Sequence, residues 1–147
     1  MNEFFPSALL APGSPHYRMR LVVGEHSARH IRRVVRSLLA EWGMGDVVDA
    51  AELAVTELVA NVVRHVPDRR CTVLVVRRRT GVRVEVADGS PGLPVVVLQQ
   101  PEDSEGGRGL LLLDAIVDKW GVDFGGPGNG KAVWFECRSA GPAAAVR

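Results

Sequence analysis

The sequence predicts an α+β fold: a two-layer α/β sandwich with a mixed, mostly antiparallel sheet covered on one face by helices. Three observations lead there. The strand-like runs fall in pairs joined by short turns, as hairpins do. The long helical stretches are amphipathic, so each has one face to bury. The element order, β-α-α-β-β-α-β-β, lacks the regular strand–helix alternation of a doubly wound parallel sheet.

The 147 residues suit one domain, and a chain of this size buries ~70% of its unfolded surface without needing staples. Hydrophobic residues make up 46% and charged residues 24%, which excludes disorder for the body of the chain. The balance of 18 basic and 17 acidic residues, net +1, speaks against direct nucleic-acid binding. No uncharged apolar run reaches the length of a membrane span. Cys71 and Cys137 fit neither a disulfide framework nor a zinc pattern and read as small buried hydrophobes. The N-terminus lacks the pattern of a secretory signal, so a cytoplasmic protein is expected.

Residues 1–16, with three prolines, read as a flexible arm; 17–138 form the domain; 139–147 read as a disordered tail. Tyr17 to Val23 is a strand. Ser27 is the expected N-cap of a helix whose buried face carries Ile31, Val34, Val35, Leu38, Leu39 and Trp42. Arg29, Arg32, Arg33 and Arg36 fall mainly on the other side, as a solvated face or a partner surface. Gly43 and Gly45 end that helix. Asp46 is the expected cap of a second helix, with Val47, Ala50, Ala51, Ala54, Leu58 and Val62 inward, running to His65 ahead of Pro67. Cys71 to Arg78 and Val82 to Ala87 form a hairpin. Residues 88–108 are irregular and rich in Gly and Pro, as functional loops are. Gly109 to Asp118 is a third helix, and Trp120 to Phe124 with Lys131 to Arg138 is a closing hairpin.

Three places carry possible chemistry. Glu57 and Asn61 lie one turn apart on the second helix and share a side of it. An Asn oxygen suits Mg²⁺, which keeps most of its waters, and a Glu beside it can take a proton. Read alone, the pair is better explained as polar groups at an amphipathic boundary. Asp88 follows a strand and opens Asp88-Gly89-Ser90-Pro91-Gly92, either a plain turn or a carboxylate able to accept from an exocyclic amine such as adenine's. Glu105-Gly106-Gly107-Arg108-Gly109-Leu110 leads into the third helix, where free N–H groups and the helix dipole attract phosphate and Arg108 adds a charge-assisted contact. The pattern is neither a P-loop nor a dinucleotide fingerprint.

Taken together and in this order, Glu57-Leu58-Val59-Ala60-Asn61-Val62-Val63-Arg64-His65, Val84-Glu85-Val86-Ala87-Asp88-Gly89-Ser90-Pro91-Gly92 and Gly107-Arg108-Gly109-Leu110 resemble the N, G1 and G2 boxes of the GHKL (histidine-kinase-like, Bergerat fold) ATP-binding family. The pattern is similar to that of the anti-sigma-factor serine kinases and related actinobacterial regulatory proteins. The resemblance implies ATP and Mg²⁺ as cofactors. Asn61 would hold the Mg²⁺ and Glu57 would be the general base. Asp88 would bind the adenine amine, and Gly92 would let the backbone pass the nucleotide. Gly107 and Gly109 would form the phosphate loop, with residues 93–108 as a lid. Arg64, His65, Ser90, Arg108 and Leu110 complete the implied ATP site. The implied partners are an anti-anti-sigma protein or a sigma factor, with a homodimer as the implied assembly and no direct nucleic-acid or membrane contact. Two activities remain open: a serine/threonine kinase acting on the anti-anti-sigma partner, or a non-catalytic module that binds ATP or sequesters a partner. The sequence departs from the family twice. Ser90 stands where a Gly is common, and Ala132 stands where many relatives carry a Thr that helps hold adenine.

Overall fold

The structure is a computed structural model and describes residues 16–90, 113–125 and 130–140. Strand β1 spans His16–Val22, helix α1 Ser27–Glu41, helix α2 Val48–His65, β2 Arg70–Arg78, β3 Gly81–Asp88, β4 Lys119–Phe124 and β5 Lys131–Arg138. A single 3-10 turn, Gly45–Val47, leads into α2. The strands form one sheet in the order β1-β2-β3-β5-β4, with every described pairing antiparallel. The predicted α+β sandwich is therefore the fold. Its sheet, expected to be mixed, is wholly antiparallel among the described residues.

Strand alternation sets the two faces. On β3, Val82, Val84 and Val86 are buried while Arg83 and Glu85 are not. The buried phase continues across neighbouring strands, giving the rungs Met19–Val73–Val86–Val133 and Tyr17–Val75–Val84–Phe135. These side chains meet Ile31, Val35 and Leu39 of α1 and Ala51, Ala54, Val55, Leu58, Val59 and Val62 of α2 in a single core. A polar residue at any of those positions would carry an unpaid desolvation penalty, so the apolar period fixes both register and layer order. The helices are also joined by polar contacts. Arg36 donates twice to Glu52 Oε2, at 2.9 and 2.7 Å, and Arg32 donates to Thr56 Oγ1 at 3.1 Å. Two of the four α1 arginines are thus engaged with α2. The face of the sheet away from the helices holds Arg83, which bonds Glu85 and Glu136 and lies 4.1 Å over the Trp134 ring.

Both expected helix caps are corrected. Ser27 is the first residue of α1, and its hydroxyl accepts from the Gly24 N–H at 2.8 Å instead of from the helix. Asp46 does not cap α2. Its carboxylate accepts from the Ser139 hydroxyl at 2.6 Å and the Ala140 N–H at 2.9 Å. These bonds hold the Asp46 carboxyl below its ordinary value, and they tie down the first two residues of the expected tail. The end of α1 is as predicted. Gly43 takes φ 71°, Gly43 N bonds Ala40 O and Met44 N bonds Leu39 O, the paired closure that a glycine at this position permits. Val66, the residue before Pro67, is extended and ends α2. Of the third predicted helix, 113–116 is helical and Leu113 is fully buried. Its start at Gly109 lies outside the described residues, as do positions 1–15 and 141–147 of the arm and tail.

Candidate functional site

Glu57, Asn61 and His65 follow one another at intervals of four along α2, so they form a single stripe. The stripe borders the core row Ala54, Leu58 and Val62, and all three side chains are half-buried. Asn61 Nδ2 and His65 Nε2 are shielded from solvent with no hydrogen-bond partner among the described residues. Two such atoms one turn apart are unusual, because a buried polar group without a partner costs on the order of 1–3 kcal/mol. Glu57, a further turn toward the N-terminus, makes no bond or ion pair among the described residues. The stripe thus carries two buried polar atoms, on Asn61 and His65, that the described residues leave unsatisfied.

The second part of the site ends β3. Asp88 belongs to the same strand phase as Val82, Val84 and Val86 and so points to the helix-covered side of the sheet. Its Oδ1 accepts from Ser90 N at 2.8 Å and from Lys131 Nζ at 3.0 Å. Lys131 is the register partner of Asp88 on β5. Both side chains are buried, 3% exposed for Asp88 and 7% for Lys131. The ammonium also donates to Ser90 O at 3.3 Å. Gly130 precedes Lys131 at φ 77°, and a side chain there would collide with the Asp88 carbonyl oxygen. Only glycine combines that conformation with so close an approach.

The His65 end of the stripe lies near the second part. Helix α2 packs on β3 and β5. Burial, then the positive charges of Arg64 and Lys131, hold the His65 imidazole below its ordinary value. Lys131 is therefore close enough to be felt at the end of the α2 stripe, and His65 is neutral at pH 7. An open cleft of about 390 Å³ also borders Asp88, lined by Arg20, Arg70, Cys71, Thr72 and others. Its lining comes from β1, β2 and the end of β3, with none from α2.

The predicted site residues are thus partly assembled. His65 lies near Lys131, which joins it to Asp88 and to the backbone of Ser90; Glu57 and Asn61 share its stripe two turns and one turn back along α2. Arg64 is exposed, and its charge is felt at His65. Gly92, Gly107, Arg108, Gly109 and Leu110 lie outside the described residues, as does the expected lid. The reading of Ala132 as the position facing adenine is corrected. Ala132 pairs with Ala87, in the strand phase opposite to Asp88, and Lys131 is the residue that meets the carboxylate. Lys131 was not among the residues expected in the site. One signal was available: it is one of only two lysines in a chain whose other basic residues are arginine.

The residues present fit a magnesium ion. Asn61 offers an amide that the described residues leave without a partner on its nitrogen side, and either end of an amide can face a ligand by rotation. Among the described residues no three His, Cys, Asp or Glu side chains gather as a metal cage. A single protein oxygen is enough for Mg²⁺ bound chiefly by water and substrate phosphates.

The sequence matches the family described as the histidine kinase-like ATPase domain over residues 21–136. That span takes in the α2 stripe, Asp88 and Lys131, and the chain belongs to this family of ATP-binding domains. No curated protein matches the chain. Among the described residues, no helix is long and apolar enough to cross a membrane.

Proposed function

We propose that the protein is a cytoplasmic ATP-dependent regulator of the anti-sigma kind, a serine/threonine kinase that phosphorylates an anti-anti-sigma partner and holds a sigma factor in its other state. The observation that supports this reading is the pair of buried atoms, Asn61 Nδ2 and His65 Nε2, left without partners among the described residues on the stripe that also carries Glu57, with His65 near the Lys131–Asp88 pair. A kinase site must leave such groups free for substrate, because phosphoryl transfer relies on positioning and charge neutralisation.

Each residue has a part in the transfer. Asp88 accepts a purine amine and orients the nucleotide. Asn61 would hold the Mg²⁺, which neutralises charge on the phosphates when bound. Glu57 takes the proton of the attacking serine or threonine hydroxyl as its oxygen bonds to the γ-phosphorus and the bond to ADP breaks. Neutral His65 keeps a second positive charge away from Lys131. A homodimer is the assembly proposed with this activity.

Calorimetry with Mg·ATP followed by transfer of labelled phosphate to the purified partner tests the proposal. Saturable binding and transfer are expected, with Glu57→Ala binding ATP normally and losing at least a hundredfold in transfer, the low end of a general base's contribution (~10²–10⁴). Binding without transfer in the unaltered protein leaves a non-catalytic module. Undiminished transfer by Glu57→Ala removes Glu57 from its role.

A further inference from the structure

Lys131 is a costly residue where it stands. A buried ammonium needs a reason, since its desolvation is repaid only by good partners. The sequence otherwise uses arginine for positive charge, with Lys119 and Lys131 its only lysines. A guanidinium is a wide planar fork, whereas an ammonium is a compact point donor. The position behind Asp88 holds the compact one.

We propose that Lys131 reads the base of the nucleotide. Together with Asp88 it presents an acceptor and a donor side by side, matched to the amidine edge of adenine: the 6-amino group and ring nitrogen N1. The inference rests on the nucleotide-site reading above and names what that site recognises.

The hydrogen-bond count leads to this assignment. Asp88 Oδ1 is taken twice, by Ser90 N and by Lys131 Nζ. Asp88 Oδ2 has no partner among the described residues. It is the acceptor left for an amine. The Lys131 ammonium has three N–H groups. Two are used, on Asp88 Oδ1 and on Ser90 O. The third is a donor with no partner among the described residues, and ring N1 of adenine is an acceptor next to the amine.

The ammonium is also fixed in place. The register pairs it directly with Asp88, and Gly130 lies against the Asp88 backbone. A donor positioned in advance costs less entropy to engage than one recruited on binding.

The test compares ATP with 1-deaza-ATP, in which N1 is replaced by C–H, using calorimetry on the full chain and its Lys131 variants. Both ligands carry the same triphosphate, so the ratio of their dissociation constants cancels the effect of the lysine charge on the phosphates. The unaltered protein is expected to bind 1-deaza-ATP about tenfold or more weakly, as befits loss of a hydrogen bond to a charged donor. In Lys131→Met the ratio falls to within about twofold. If Lys131→Met does not fold, Lys131→Gln serves, and its neutral amide donor gives a ratio between the two. Equal binding of the two nucleotides by the unaltered protein overturns the inference and leaves the nucleotide site standing. So does a ratio that either variant leaves unchanged, which makes Lys131 a structural partner of Asp88 alone. Failure of the unaltered protein to bind either nucleotide overturns the site and the inference together.

Discussion

His65 shows how one side chain can join folding to proton concentration. Its imidazole titrates below its ordinary value of 6.5, first because it is buried and then because Arg64 and Lys131 repel a proton. The folded state therefore favours the neutral ring. That contribution is complete above the unfolded value and is lost as pH falls through the folded one. Urea unfolding midpoints should drop between about pH 7 and pH 5 more steeply in the unaltered protein than in His65→Gln. Equal slopes would show that the imidazole does not feel its surroundings in this way. The Asp88–Lys131 pair is a different case. A buried ion pair is weak evidence of stability, yet losing one partner strands the other at about 3–5 kcal/mol. Each member therefore constrains the other. Neither the orphaned Asn61 nitrogen nor this pairing was legible in the sequence, because both depend on which distant residue arrives opposite.

At the scale of elements, the strands and helices were legible and their local chemistry was only partly so. Apolar residues every three or four positions placed α1 and α2, and the Val82-Val84-Val86 alternation placed β3 with its inward face. Such patterns are local and the core enforces them. The caps failed because a short polar residue ahead of an apolar run has more than one use. Asp46 is taken by Ser139 and Ala140, far away in the chain. The Ala132 assignment failed for a related reason: side chains alternate along a strand, so an error of one position moves a residue to the other face. Gly130 is where the element and the site depend on each other. Gly130→Ala places a methyl group at φ 77° against the Asp88 carbonyl, and the strain adds to the collision. It should cost at least about 1 kcal/mol of unfolding free energy. Nucleotide affinity, read by calorimetry, should fall more than in a Gly24→Ala control, where an added Cβ meets nothing within 4 Å.

The whole molecule can be followed through its two thiols. Cys71 pairs with Asp88 at one end of β3, and Cys137 pairs with Val82 near the other. Both are free and buried. Burial, helped by Asp88 for Cys71 and Asp118 for Cys137, pushes each thiol up to about 12. The reactive thiolate is therefore scarce as well as shielded. A disulfide reagent at pH 7.5 should leave both cysteines unmodified in the native protein and label them together at the rate of global unfolding. Early labelling of Cys71 alone would show that the site end opens independently. The fold as a whole was readable from the sequence because composition, periodicity and element order all pointed to the same two layers. The three boxes were visible too. The meeting of Asp88 with Lys131 needed the sheet order, in which β3 lies beside β5 instead of β4.

That neighbourhood bears on how the chain becomes native. The β2–β3 and β4–β5 hairpins each close over a short stretch, but the β3–β5 ladder joins strands with residues 89–130 between them. Long closures are paid for in entropy before their contacts repay it. The rung between Asp88 and Lys131 stands at the mouth of this loop, so it is made when two preformed halves dock. Changes there should hasten unfolding more than they slow folding, as expected of a rung that forms late.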